Sequence, residues 1–126
     1  MADLKTQVIV VGGGHAGYEA ALASARMGVK TTLVTLDRSQ IGRLPCNPAV
    51  GGIAKSHLVS EVDSMGGEIA KNADFTGVQY RMLNTRKGPA VQSNRIQCDK
   101  IAYPLRIQEV LKNQANLSLI DDMVTS

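Results

Sequence analysis

Gln7 is followed by Val8-Ile9-Val10-Val11, an unbroken β-branched run of the kind a strand buried on both sheet faces requires. It passes directly into Gly12-Gly13-Gly14-His15-Ala16-Gly17. A stretch rich in alanine, with Ala20, Ala21, Ala23 and Ala25, then predicts a helix to about Met27, and Gly28 is placed to end it. Thr31-Thr32-Leu33-Val34-Thr35 predicts a second strand. Strand, glycine turn, helix and strand make a βαβ unit, with parallel strands and a right-handed crossover.

Beyond it the pattern is less regular. Gly42, Pro45, Pro48, Gly51 and Gly52 make the stretch from Leu36 to Gly52 turn-rich. Ile53, Leu58, Val62 and Met65 can share one apolar face of a helix predicted over Ile53–Met65, and Gly66-Gly67 stops it. Val78 to Leu83 predicts a short strand, and Asn84 to Gly88 a loop. A further helix is predicted from about Arg95 to Lys112, with Pro104 kinking or dividing it. Leu117 to Ile120 predicts a third core strand. The fold class expected is α/β, a parallel sheet flanked by helices. Three parallel strands with a bare edge are half of a doubly wound sheet, so an N-terminal piece of a longer enzyme is expected. The alternative is a small complete domain whose own loops cover its edge.

Composition narrows the function classes. Hydrophobic residues are 44% and charged residues 20% of the 126, which excludes a disordered or collagen-like chain. Aromatic residues are 3%, namely Phe75, Tyr18, Tyr80 and Tyr103, so the core is built from aliphatic side chains and base-stacking platforms are not expected. The net charge of +3 is compatible with an anionic ligand. Cys46 and Cys98 are too few for a disulfide scaffold. No apolar run approaches the length of a membrane span or a signal segment, so a soluble, cytoplasmic chain with no membrane partner is expected. Asn116-Leu117-Ser118 matches a glycosylation sequon but overlaps a predicted core strand and is set aside.

The strongest chemistry lies in the glycine turn. Gly12-x-Gly14-x-x-Gly17 means little alone, but here it follows a predicted strand and opens a predicted helix. In a Rossmann-like fold the first glycine permits the tight turn, the second lets a pyrophosphate approach the backbone, and the third lets helix and strand pack closely. Helix N–H groups and the positive end of the helix dipole then face the phosphates. The carboxylate that binds a ribose is expected at the end of the second strand, where Thr35 stands instead, with Asp37 two residues on. Thr35 offers a weaker hydroxyl contact, and Asp37 reads as a solvated loop charge. Cys46 lies in Leu44-Pro45-Cys46-Asn47-Pro48, where Arg43, Lys55 and a helix N-terminus would favour its thiolate. A buried structural thiol is the competing reading. Cys98, in a predicted helix, reads as packing. His15 reads as a spacer of the turn, His57 as half of a surface pair with Glu61, and Glu19 as a first-turn charge suited to the dipole. No residues stand at metal-ligand spacing, so no metal is expected. Arg81, Arg86, Lys87, Arg95, Lys100 and Arg106 form a late basic cluster, read as a solvated face with phosphate binding as the alternative.

Five separated blocks, Val10 to Gly17, Ala25-Arg26-Met27-Gly28, Cys46-Asn47-Pro48-Ala49-Val50-Gly51-Gly52, His57-Leu58-Val59 and Lys87-Gly88-Pro89-Ala90-Val91, stand out along the chain. In them the sequence resembles the MnmG (GidA) family, tRNA uridine 5-carboxymethylaminomethyl modification enzymes. The resemblance implies FAD bound on a Rossmann-like domain, with its pyrophosphate on Gly12, Gly13, Gly14, His15, Ala16 and Gly17 and a backbone contact to adenine at Val124. It implies that Cys46 acts near the flavin, as nucleophile or proton-transfer group. The family lacks the usual acidic residue after its second strand, which accounts for Thr35. It also implies partnership with the GTPase MnmE, a homodimer, and (carboxymethyl)aminomethyl groups installed at the 5-position of the wobble uridine of tRNA. Methylene-tetrahydrofolate is the implied carbon donor and NADH the reductant.

The sequence departs from the family in places. Ala54 and Ser56 stand where glycines are common, Gln92 replaces a frequent arginine, and Pro104 enters a helix usually free of proline. The family's NAD(H)-binding insertion and C-terminal helical domain have no counterpart in residues 1–126, so the chain is expected to be the N-terminal portion of an FAD-binding domain, inactive alone. Two other readings stand beside it: a relative of the folate-dependent flavin tRNA methyltransferase, and an inactive truncated nucleotide-binding module.

Overall fold

Thr31, Thr32 and Leu33 are buried because their strand, β2 (Thr31–Thr35), is the middle one of three. β1 (Val8–Val11) and β6 (Leu117–Asp121) pair with it in parallel, in the order β1–β2–β6. Val10 stands opposite Leu33, and Leu33 opposite Leu119. The structure is a computed structural model that describes residues 5–44, 49–52 and 54–125. The chain forms two units, residues 1–43 with 104–126, and residues 44–103.

In the first unit, α1 (His15–Arg26) carries β1 over to β2. Its buried residues are Tyr18, Ala21, Leu22 and Ala25, the three- and four-residue spacing of one helical face. Full burial of Leu22 and Leu33 stabilises the unit by about 1.5–3 kcal/mol each before entropy is counted. Gly28 ends the helix with φ +85°, its N–H donating to the Ala25 carbonyl at 3.0 Å. Gly17 sets how closely the helix lies on the strand, because a Cβ there would collide with the carbonyl oxygen of Gly12. α4 (Ala102–Asn113) contributes Ile107 and Leu111, both fully buried. Pro104 is its third residue, inside the first turn, where no helical N–H donor is needed.

The second unit is built on an antiparallel sheet in the order β3–β5–β4, comprising β3 (Ala49–Gly51), β4 (Gly77–Leu83) and β5 (Ser93–Cys98). Two helices, α2 (Lys55–Ser64) and α3 (Ile69–Thr76), precede β4. Asn72, fully buried, donates from Nδ2 to the Tyr103 carbonyl at 3.0 Å and so keeps its amide satisfied. Thr76 donates from Oγ1 to the Asn72 carbonyl, and the Asp99 N–H donates to the Thr76 carbonyl at 2.7 Å. Gly51, at φ +104°, lies where a Cβ would strike the Asn94 carbonyl, so β3 approaches β5 closely.

Several expectations are corrected. Residues 93–98 form a strand rather than the start of a helix, and the helix begins only at Ala102. Asp99 explains the boundary: its Oδ1 accepts from the N–H groups of Ile101 and Ala102 at 2.9 and 2.8 Å, which caps the helix there. Those two bonds hold the Asp99 carboxyl below the ordinary carboxylate value. The predicted apolar face of the helix after Gly52 is not a core face. Ile53 lies outside the described residues, Leu58 and Met65 are exposed, and no α2 residue is buried. Ala54 precedes α2 at φ +66°, a positive φ that favours glycine. α3, β3 and the short helical turns at Arg38–Gln40 and Pro89–Val91 were not anticipated. β1 is an edge strand, with Ile9 61% and Val11 62% exposed rather than covered on both faces. Glu19 stands one turn further in than expected, because α1 begins at His15.

Gly17→Ala therefore destabilises the fold, because overpacking against backbone outweighs the better helix propensity of alanine, by on the order of 2 kcal/mol. Chemical denaturation of the variant beside the parent checks it, and an unchanged midpoint refutes the packing argument.

Candidate functional site

In the first unit the mouth of α1 and the C-terminal ends of the parallel strands come together. Gly14 caps α1 with φ −72° and ψ −178°, and no side chain bonds to the helix end. The first helical N–H groups have no partners within the helix, and the dipole leaves them in a positive field. A Cβ on Gly14 would meet nothing within 4 Å, so its backbone faces open space. Gly12 turns the chain at φ +100°, its N–H still donating to the Val34 carbonyl at 2.8 Å. Gly13 is restricted for another reason, since a Cβ there would lie 2.6 Å from Ile41 Cγ1. Its carbonyl accepts from the Gly42 N–H at 3.1 Å, which fixes the loop after β2 against the turn. Ala16 is exposed as the second residue of α1. The result is a cradle of backbone donors, without a side-chain cap, that suits a diphosphate.

Beside this cradle is a hollow of about 300 Å³, lined by Gly12, Thr35, Leu36, Asp122 and Val124 among others. Thr35 lies at the end of β2, its carbonyl accepting from the Asp122 N–H at 2.9 Å. Gly12, Thr35 and Val124, far apart in the chain, thus share one wall. Asp122 and Leu36 went unnoticed in the sequence. Their position just after two adjacent parallel strands was the available signal.

The loop charges nearby are occupied. Asp37 accepts at Oδ1 from the Ser39 N–H at 2.8 Å and the Ser39 hydroxyl at 2.6 Å, and these bonds hold its carboxyl below the ordinary value. It shapes a turn and is not presented to the hollow. Arg38 donates from its backbone N–H and from Nε to the two Asp121 oxygens, both at 2.9 Å, tying the loop after β2 to the end of β6.

His15 is more than a spacer. Its Nδ1 lies 2.8 Å from the hydroxyl of buried Tyr18, and the two rings meet edge-on. Partial removal of water from the imidazole lowers its pKa below 6.5, so the neutral form prevails near the cradle at neutral pH. Cys46 lies outside the described residues, as do Pro45, Asn47 and Pro48. Cys98 is buried at the end of β5, and that burial raises its thiol pKa. His57 and Glu61 are exposed on α2 with no hydrogen bond or ion pair between them among the described residues. Among the same residues no three His, Cys, Asp or Glu side chains gather as metal ligands, and no helix is long and apolar enough to cross a membrane. The basic cluster divides: Arg81, Arg86, Lys87, Arg95 and Lys100 lie in the second unit, Arg106 in the first.

Comparison with known proteins resolves the kinship. The family model described as Glucose inhibited division protein A matches residues 7–126. The chain belongs to the GidA family. A GidA-family relative from Pelobacter propionicus, the tRNA uridine 5-carboxymethylaminomethyl modification enzyme MnmG, is 56% identical over 124 residues, covering 98% of this chain and 20% of its own length. The crystal structure of Aquifex aeolicus GidA superposes with TM-score 0.90 at 50% identity, over 97% of this chain and 21% of that one. The chain thus spans about a fifth of the length of these relatives. PqsL of Pseudomonas aeruginosa, described as a probable FAD-dependent monooxygenase, shares the fold at 14% identity and TM-score 0.55, over 91% of this chain and 32% of its own. The α/β Rossmann-like class of this GidA-family chain is thereby shown.

The titration of His15 has a readable consequence. A base whose folded pKa lies below its unfolded 6.5 contributes no penalty above that value, and stability is lost as pH falls through the lowered one. Between about pH 7.5 and pH 5.5 the ligand-free parent is expected to lose more thermal stability than His15→Gln. Parallel Tm–pH curves for the two proteins contradict this.

Proposed function

We propose that this chain is the FAD-diphosphate- and adenosine-holding portion, residues 1–126, of an MnmG-type enzyme that modifies the wobble uridine of tRNA. One observation carries the reading: an uncapped helix mouth with open space at Gly14, beside a hollow shared by Gly12, Thr35 and Val124, in a chain 56% identical to such an enzyme. Gly12, Gly13, Gly14, His15, Ala16 and Gly17 present backbone to the diphosphate, and a neutral His15 adds no charge of its own. The mainly apolar hollow suits an adenine, with Val124 contributing backbone and Thr35 a hydroxyl in place of the usual carboxylate. FAD, when bound, supplies the redox chemistry, and this chain's residues hold and orient it. Cys46 is the proposed catalytic group near the flavin, acting as nucleophile or in proton transfer.

The remainder of the activity rests on kinship with the family. It comprises the attachment of (carboxymethyl)aminomethyl groups to uridine C5 in the cytoplasm, with MnmE as GTPase partner. Methylene-tetrahydrofolate is the carbon donor, NADH the reductant, and a homodimer the working assembly. The exposed apolar edge of β1 supports this chain being one portion of a larger sheet, since such an edge invites further strands.

In the full-length protein, Gly14→Leu is expected to fold normally, because the position has an ordinary φ and open surroundings, yet to bind FAD at least about tenfold more weakly, about 1.4 kcal/mol. Flavin absorbance of the purified variant and titration with FAD measure this, and parental affinity removes the cradle from the site. Cys46→Ala is expected to cut wobble-uridine modification by on the order of 100-fold while flavin stays bound. Nucleoside analysis of tRNA from cells carrying only the variant tests it, and normal modification returns Cys46 to a structural role.

A further inference from the structure

The antiparallel sheet of the second unit places like charges side by side. In the register of β4 and β5, Arg81 stands directly opposite Arg95, and the neighbouring pair on the same face is Gln79 opposite Gln97. Both arginines are exposed. Neither forms an ion pair or a side-chain hydrogen bond among the described residues. Asp74 lines a hollow with both of them on one side without pairing to either. A directly opposed like pair with no counter-charge destabilises a sheet, and its presence calls for an anion that bridges the two forks.

The surroundings fit such a ligand. Across the sheet from Arg95 the partner in β3 is Gly51, which has no side chain to cover the guanidinium from that flank. A hollow of about 130 Å³ between Gln79, Arg81, Leu83, Arg95 and Gln97 is wide enough for a phosphate group and its first oxygens. Next along the chain, the turn that joins β4 to the segment before β5 carries Arg86 and Lys87, both exposed. Asn84 braces this turn by donating from Nδ2 to the Val91 carbonyl at 2.9 Å, and Gln92 by donating from Nε2 to the Lys87 carbonyl at 3.1 Å. The basic groups are therefore mounted on a strand pair and a braced turn.

We propose that the Arg81–Arg95 pair binds the phosphodiester backbone of the tRNA substrate, with Gln79 and Gln97 donating to neighbouring phosphate or ribose oxygens. The inference rests on the tRNA-modification reading above and adds to it a surface distinct from the diphosphate cradle. Arginine suits the role because its planar fork meets two phosphate oxygens at once. Backbone contacts of this kind position a nucleic acid without reading its sequence.

Binding of the full-length protein to unmodified tRNA, followed against salt concentration, tests the proposal. The double variant Arg81→Gln/Arg95→Gln is expected to bind about tenfold more weakly at low salt, with the slope of log K against log salt reduced by about 0.7, the value for the one phosphate that the two forks share. Its flavin content and Tm are expected to equal or exceed the parent's, because repulsion has been removed, and Arg81→Lys/Arg95→Lys is expected to keep the parent's salt slope, which follows charge, while losing part of the affinity that the planar forks supply. A parent that binds tRNA alongside a glutamine variant of equal affinity and slope overturns this inference alone. A parent that does not bind tRNA overturns the underlying reading as well. Loss of affinity accompanied by loss of flavin or by a lower Tm assigns the pair to structure and overturns the inference. Arginine-dependent binding to vesicles of anionic lipid with unchanged tRNA binding also overturns it.

Discussion

The closeness of Gly17 to the Gly12 carbonyl governs the first unit. No residue with a Cβ fits there, and the contact sets α1 directly against the end of β1. Tyr18, Ala21, Leu22 and Ala25 can then bury one helical face, and the uncapped mouth of α1 comes to lie level with the ends of the parallel strands. Packing and site share one geometric cause. A longer helix-to-strand distance would both open the core and withdraw the backbone donors from the hollow beside Thr35 and Val124.

Around this mouth, charged side chains serve geometry. Asp37 turns inward on Ser39, while Arg38 and Asp121 join the β2 loop to the end of β6 at partly exposed positions. An exposed pair of this kind contributes at most about 1 kcal/mol, so its importance is orientation rather than stability. With these carboxylates occupied, backbone amides and the helix dipole are left to meet an anion. The second unit shows the opposite arrangement, with Arg81 and Arg95 opposed across two strands and no carboxylate paired to them among the described residues.

The glycine spacing, the alanine-rich helix, the second strand and the strand at Leu117 were all legible, because each is marked by residue types at spacings of a few positions. The stretch from Arg95 to Lys112 reads as helical throughout, kinked or divided at Pro104, whereas residues 93–98 are a strand and the helix begins at Ala102. Its first part gains hydrogen bonds from β3 and β4, neighbours a local pattern cannot reveal, and Asp99 starts a new helix by capping. The apolar face predicted for α2 failed for a related reason: helical spacing says which residues align, not whether another element lies against them. Similarly, the β-branched run of β1 satisfies the pattern of a central strand while occupying an edge.

Sequence alone determined that a βαβ unit with a diphosphate-type glycine turn opens this chain, because tight turns and close backbone approaches demand particular residue types at particular spacings. Family membership was legible for the same reason, in separated blocks that keep their register. Tertiary structure decided that Thr35, Asp122 and Val124 share a hollow, that Asp37 is spent on a turn, that His15 leans on Tyr18, and that two arginines face each other across strands. Those are meetings between residues distant in the chain, fixed by strand order and register, and no local periodicity encodes which strand becomes the neighbour of which.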